Sequence, residues 1–262
     1  MYFITVLGTA GSGKSVLTAA FADWLEDQQL SVSRVNLDPA AEWLPYNPDF
    51  DVRDLVNTRE VMVENNLGPN AALIASVDML INYIDVIRKE VWSEKTNYVI
   101  VDTPGQLELF AFRSSGPLVL SAIIGEHKSV SLYLIDAFFA LQPAAFVSAL
   151  LLSSSVMLRF NKPQINVLSK ADLLTESEIE KVLQWFEDPI ELMNAIDNEP
   201  VSFTIKDLAK RLAETITETQ LVLKPIPVSS KLNIGLDNLY AEVQRILAGG
   251  EDFLTEEPSG RL

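Results

Sequence analysis

The chain of 262 residues has no cysteine. Disulfide scaffolds, thiolate-bound zinc and a cysteine nucleophile are thereby excluded. Histidine occurs once, as His127, so a catalytic metal centre built on two or three imidazoles is excluded too. In its Glu126-His127-Lys128 setting it is expected in a solvated surface loop. Basic residues are scarce, 20 Lys plus Arg against 36 Asp plus Glu, and the formal net charge of -16 argues against a protein that grips nucleic acid through a basic face. No direct nucleic-acid partner is expected. Long uninterrupted apolar runs are also missing. The first seven residues are apolar but lack a basic flank, and Lys14 follows soon after, so they are expected to form neither a signal peptide nor a membrane span. The most apolar region, 117–160, is divided by Glu126, His127, Lys128, Asp136 and Pro143. Its longest clean piece, 144–158, carries four serines and falls short of the roughly 20 residues that a membrane helix needs. A buried helix, no membrane partner and a cytoplasmic location are the expectations.

What the sequence does have is 48% hydrophobic residues, ample for a folded core. Short, continuously apolar runs at 3–7, 32–37, 98–101, 130–135, 165–168 and 226–228 read as buried strands of a parallel sheet covered on both faces. Between them the spacing of Leu17, Phe21, Trp24 and Leu25, and of Leu73, Val77, Leu80, Ile81 and Ile84, predicts amphipathic crossover helices. The fold class that follows is α/β, a doubly wound, mostly parallel sheet flanked by helices, in a single domain over 1–248. A Pro- and Asn-rich segment near 39–72 and a helical insertion near 175–223, opened by the capping box Thr175-Glu176-Ser177-Glu178, are additions to that core, and 249–262 reads as a flexible acidic tail.

The sharpest local signal is Gly8-Thr9-Ala10-Gly11-Ser12-Gly13-Lys14-Ser15, which satisfies G-x-x-x-x-G-K-[ST] between a predicted strand and a predicted helix. Glycines there let backbone N–H groups turn inward around a β-phosphate, the helix N-terminus adds a positive dipole, Lys14 supplies a cation and the Ser15 hydroxyl a magnesium ligand. Next, the strand 98–101 ends in Asp102-Thr103-Pro104-Gly105. A carboxylate at the tip of a neighbouring parallel strand reaches magnesium, and Gly105 N–H is placed for a γ-phosphate. Ser169-Lys170-Ala171-Asp172 closes a later strand. Asp172 there can accept from guanine N1–H and the 2-amino group together, whereas adenine offers no donor at either place. A helix start capped by Ser or Asp is the structural alternative. Val228-Ser229-Ser230-Lys231 follows the last strand and resembles the S-A-K loop of GTPases, whose backbone N–H, here that of Ser230, would face guanine O6.

In order and spacing, the phosphate loop, Asn36-Leu37-Asp38-Pro39-Ala40, Asp51-Val52-Arg53, Gly68-Pro69-Asn70 and Asp102-Thr103-Pro104-Gly105-Gln106-Leu107-Glu108 resemble the GPN-loop GTPases, P-loop GTPases of the dimerising SIMIBI class. Ser169-Lys170-Ala171-Asp172 resembles the N-K-x-D guanine signature, with Lys170 stacking its stem on the base and Ser169 in place of the usual Asn that braces the phosphate loop. The resemblance runs from Gly8 to about Leu239. It implies magnesium, GTP as substrate and GDP as product, with Gly11, Ser12, Gly13, Lys14, Ser15, Val16, Gly105, Lys170, Asp172 and Ser230 around the nucleotide. Ser15, Asp38 and Asp102 would surround the metal, and Asp38, Asp102, Gln106, Glu108 and Asn70 would serve hydrolysis. It further implies a homodimer in which the Gly68-Pro69-Asn70 loop of each subunit reaches the other's site, and a protein client, with RNA polymerase subunits as one class. Asp38 also reads as a turn former before Pro39, and Glu108 as a first-turn helix acid. Asp136 at a strand tip is expected to cap or pack, and Trp24, Trp92 and Trp185 to lie in the core or an interface.

Two other functions use the same cradle. A small-molecule kinase would add an acceptor and a lid of converging arginines, for which Arg53, Arg113 and Arg159 are the candidates. An ATP-dependent partitioning or metal-inserting protein would carry an early phosphate-loop lysine where this chain has Thr9, or a Cys/His cluster, and neither is present.

Overall fold

Seven strands form one sheet in the computed structural model, which describes residues 1–219 and 224–249. They are β1 (Tyr2–Gly8), β2 (Val32–Asn36), β3 (Phe50–Asp51), β4 (Tyr98–Asp102), β5 (Ser129–Asp136), β6 (Gln164–Ser169) and β7 (Ile226–Val228). Their order is β3-β2-β4-β1-β5-β6-β7, and every named pairing is parallel, so the sheet is more uniform than expected. All six expected strands are present. β3, only two residues long, gives no apolar run to read.

Parallel strands need crossovers that cover both faces, and the pleat divides β1 accordingly. Phe3 and Leu7 join one core with Val99 and Val101, while Ile4 and Val6 join the other with Tyr98 and Ile100. The first crossover, α1 (Lys14–Asp27), buries Leu17, Phe21 and Leu25 in that second core. Each such side chain contributes about 1.5–3 kcal/mol by leaving water. α2 (Thr58–Glu64), α3 (Pro69–Met79), α4 (Ile84–Ser93), α5 (Leu107–Ala111) and α6 (Ser115–Ile124) follow, then α7 (Ala137–Ala140), α8 (Pro143–Phe160) and α12 (Leu236–Leu247). The insertion supplies α9 (Glu176–Glu187), α10 (Pro189–Asn198) and α11 (Phe203–Thr219), which pack on one another and on α8. Its capping box forms: Glu178 N–H donates to Thr175 Oγ1, and Thr175 N–H to Glu178 Oε2.

Some expectations need correction. The helix expected through Leu73 to Ile84 is two helices joined by a 3-10 turn, Leu80–Tyr83, which swings Ile81 into solvent while Leu80 stays buried. α8 buries one stripe, Phe146, Val147, Leu150, Ser153 and Val156, and exposes Leu158, so it is a half-buried helix. By length and composition, Pro69–Ser93 and Pro143–Phe160 are both long and apolar enough to cross a membrane. His127 lies in the loop between α6 and β5 as expected, but half-buried instead of fully solvated. Its ring sits edge-on between Phe3 and Trp92, with centroids 5.4 and 5.0 Å away, and Nδ1 lies 3.1 Å from Ile124 O. Trp185 is buried, Trp24 packs on Tyr240, and Trp92 is partly exposed with Nε1 donating to Ile123 O. Residues 250–262 of the expected tail and 220–223 of the expected insertion lie outside the described residues.

What matters for function is the C-terminal edge of the sheet. β1 lies between β4 and β5, where successive connections depart to opposite sides, the place where open α/β sheets bind ligands. The tips of β1, β4 and β5 therefore present Gly8, Asp102 and Asp136 to one crevice.

Candidate functional site

Between Gly8 and α1 the chain turns tightly enough to require glycine. A Cβ on Gly8 would lie 2.6 Å from Ser12 Oγ, and Gly13 has φ +95°, in the left-handed region. Lys14, the first residue of α1, folds beneath this turn. Its ammonium donates to Gly8 O at 3.0 Å, Thr9 O at 3.1 Å and Gly105 O at 3.3 Å, tying the phosphate loop to the turn after β4. Burial lowers the Lys14 pKa, while Asp102, Asp38 and Glu108 oppose the shift. Three of the predicted carboxylates thus act on one cation. Ser12 is buried, Gly13 and Ser15 half-buried, and Gly11 and Val16 exposed at the mouth.

Asp102 is almost fully buried, and burial pushes its carboxyl up to about 6; hydrogen bonds from Ser15 and Tyr46 and the Lys14 charge pull against that, and Asp38 adds to it. Tyr46 Oη donates to Asp102 Oδ2 at 3.0 Å. Asp102 Oδ1 and Ser12 Oγ are buried without a hydrogen-bond partner. An orphaned carboxylate oxygen beside a serine hydroxyl, with a second carboxylate nearby, is a hard-oxygen donor set that fits magnesium. Among the described residues no group of three or more His, Cys, Asp or Glu forms an all-protein metal cage. Magnesium needs none, since it keeps waters and takes phosphate oxygens.

Asp38 lies just beyond β2, whose tip is extended by Leu37 N–H donating to Asp102 O at 2.9 Å. Its Oδ1 accepts from Ala40 N and its Oδ2 from Gly105 N at 3.0 Å. Burial raises the Asp38 pKa against these N–H groups, Lys14 and Arg53. Asn36 bridges to Asp51, which Arg53 clamps in turn. The turn after β4 is held by Thr103 Oγ1 donating to Val6 O at 2.6 Å. Gln106 is half-exposed and Glu108 is exposed in the first turn of α5, close enough for its charge to act on Lys14.

On the other flank, Ser169 Oγ lies 2.8 Å from Ser12 O and 3.1 Å from Ile135 O. The serine therefore does brace the phosphate loop, the job expected of Asn. Lys170, at φ +60°, lays its stem against the loop, with Cε 4.0 Å from a Cβ built on Gly13. Asp172 is exposed, and Ser229 Oγ donates to its Oδ1 at 2.7 Å. Ser229 carries no role of its own in the sequence, where only the backbone N–H of Ser230 reads as facing the base. The strand register buries the first and leaves the second half-exposed. Tyr46, in the Pro- and Asn-rich segment, carried no signal at all.

Gly68, Pro69 and Asn70 are exposed at the start of α3, with Pro69 as its first residue. Among the described residues no hydrogen bond or ion pair joins Asn70 to Lys14, Asp38 or Asp102. The three candidate lid arginines do not converge. Arg53 pairs with Asp51, Arg113 with Asp78, and Arg159 donates to Ala111 O. A cleft of about 640 Å³ between the α8 N-terminus and the insertion, lined by Lys181, Trp185 and Glu199 among others, contains none of the nucleotide residues.

The family described as "Conserved hypothetical ATP binding protein" matches residues 6–249. GPN-loop GTPase 3 of Dictyostelium discoideum is 32% identical over 257 residues, 97% of this chain and 89% of that one. GPN-loop GTPase 1 of the same organism is 31% identical over 242 residues, 92% of this chain, which spans 60% of that longer protein. A crystal structure of a GTPase in apo form from Pyrococcus abyssi is 30% identical and superposes with a TM-score of 0.83, covering 94% of this chain and 97% of that one.

Proposed function

The chain belongs to the GPN-loop GTPase family and its activity is GTP hydrolysis, and from that premise we propose that it works as a magnesium-dependent homodimer switched by its nucleotide. One observation carries the magnesium-dependent part: the Lys14 ammonium spans the phosphate loop and Gly105 O at 3.3 Å, beside a buried Asp102 with an unpartnered oxygen. Phosphates seated on the loop would meet Lys14 and the N–H groups of Gly11 to Ser15. Ser15 and Asp102 would hold magnesium, which neutralises phosphate charge when bound.

Hydrolysis joins a water oxygen to the γ-phosphorus and breaks the bond to the β-phosphate oxygen, releasing GDP and phosphate. Such a transfer needs chiefly alignment and charge neutralisation. Gly105 N–H supports the γ-phosphate once it exchanges its bond to Asp38. That exchange frees the Asp38 carboxylate to orient the water or take its proton, with Gln106 and Glu108 nearby to complete the alignment. Asp172, steadied by Ser229, selects guanine by accepting from its two adjacent donors, which favours GTP over the ATP of the family's general description.

The dimer reading is supported by Asn70, which is exposed and, among the described residues, makes no hydrogen bond to Asp38 or Asp102. A second copy would supply it across the interface. The output would be binding of a protein client in the cytoplasm, with RNA polymerase subunits the class to try first. Asn70→Ala tests the arrangement: turnover should fall while GTP affinity holds, and an equal loss of both removes the assignment. Dispersed arginines leave the kinase reading without its lid.

A further inference from the structure

We propose that Asp136 is a positioning residue for guanine recognition: its carboxylate pins the Lys170 ammonium, so that the Lys170 stem stands over the phosphate loop as a preformed platform for the base. The inference rests on the GTPase reading above and extends it to a residue outside the phosphate loop and the guanine motif.

Asp136 ends β5 and lies in register with Ser169, the residue before Lys170 on β6. Its Oδ2 is 2.6 Å from Lys170 Nζ, and its side chain is only 13% exposed. The other oxygen, Oδ1, accepts from Phe138 N at 3.0 Å and so starts α7. One carboxylate thereby fixes both its own helix and the neighbouring strand's lysine. Lys170 begins from a left-handed backbone, φ +60° and ψ +36°, that a residue with a Cβ adopts only when its surroundings impose it. Ser169 imposes it from behind, through Ser12 O and Ile135 O, and Asp136 from the far end of the side chain.

The consequence is energetic. A lysine stem has four rotatable bonds, and as a flat apolar wall it must be ordered either before the base arrives or at its expense. With the ammonium pinned and the Cε 4.0 Å from the Cβ position of Gly13, ordering precedes binding. The pairing also turns the cationic end toward Asp136 and leaves methylenes for the base.

The two oxygens allow the roles to be separated. Asp136→Asn keeps an acceptor for Phe138 N–H but removes the charge that Lys170 pairs with. GDP affinity is measured by titration for the wild type, Asp136→Asn, Lys170→Met and the double variant, together with the thermal midpoint and the KM and kcat for GTP. Asp136→Asn should weaken GDP by roughly two- to fivefold, the range of a partly exposed ion pair, with the thermal midpoint held and the loss appearing in KM. In the Lys170→Met background the same substitution should cost nothing further, because it acts through Lys170. Equal affinity in Asp136→Asn and wild type, or the same loss with and without the Lys170 ammonium, would overturn the assignment while leaving the GTPase intact. A wild type that binds no GDP would overturn both.

Discussion

Gly105 N–H donates to Asp38 Oδ2 at 3.0 Å, joining the turn after β4 to the tip of β2. In the proposed mechanism the same N–H supports the terminal phosphate. Asp38 and that phosphate would then compete for one donor, and the exchange would couple γ-phosphate arrival to release of a carboxylate. Asp38→Ala leaves the phosphate loop untouched, so GDP affinity should stay within about threefold while GTP turnover falls by about 100-fold or more, the scale of lost acid–base or water-positioning catalysis. Parallel GDP titration and single-turnover hydrolysis separate the two. A loss of GDP affinity matching the loss of rate would place Asp38 in simple binding.

Ser169 bonds Ser12 O at 2.8 Å from a buried position. Removing that hydroxyl in Ser169→Ala takes the donor from Ser12 O, its nearer acceptor, at about 1–2 kcal/mol. Urea denaturation should register that loss, and nucleotide affinity should drop with it. Unchanged stability would mean that the brace lies elsewhere.

Asp172 is exposed, and Ser229 holds its Oδ1. Its replacement by Asn should thus spare the fold yet weaken GTP by roughly 100-fold or more, since one guanine donor would face an amide donor. Ser229→Ala should weaken GTP by a smaller factor by loosening the same carboxylate. Competition binding against ATP reads both. A preference for GTP that survives Asp172→Asn would remove the carboxylate from base selection.

Asp102 makes a pH prediction for the metal-free protein. Its carboxyl titrates near 6 when folded because burial disfavours the charge, against about 3.9 in an unfolded chain. Between those values the folded state holds the extra proton, so this group's contribution to stability falls as pH rises from about 4 to 6, by roughly 2–3 kcal/mol in all. Asp102→Asn should abolish the fall and leave the metal-free protein more stable than wild type at pH 7, while ending magnesium-dependent turnover. Denaturation in a chelator at pH 4.5 and pH 7 checks it. A wild type that gains on the variant as pH rises would contradict the burial argument.

Much of this site was legible because its parts sit where strands end. A buried parallel strand reads as an apolar run, and the residue that stops the run, such as Gly8, Asp102 or Ser169, lands on the sheet's C-terminal edge. What stayed hidden depended on contacts distant in sequence. Tyr46 reaches Asp102 across 56 positions, and Lys170 reaches Asp136 across 34. His127 looked solvent-facing from its charged neighbours, yet Phe3 and Trp92 arrive from other elements to flank its ring and leave it half-buried. The short β3 is a strand only because β2 pairs with it.

The central claim, a guanine-specific hydrolase completed by a second copy of itself, is tested most directly by steady-state hydrolysis of GTP and ATP with magnesium across a range of protein concentrations. The account predicts GTP-selective turnover whose specific activity rises through a dimerisation range, or is already saturated in a stable dimer, and collapses in a chelator. Equal use of ATP, or consumption of nucleotide only when a small acceptor is added, would contradict it.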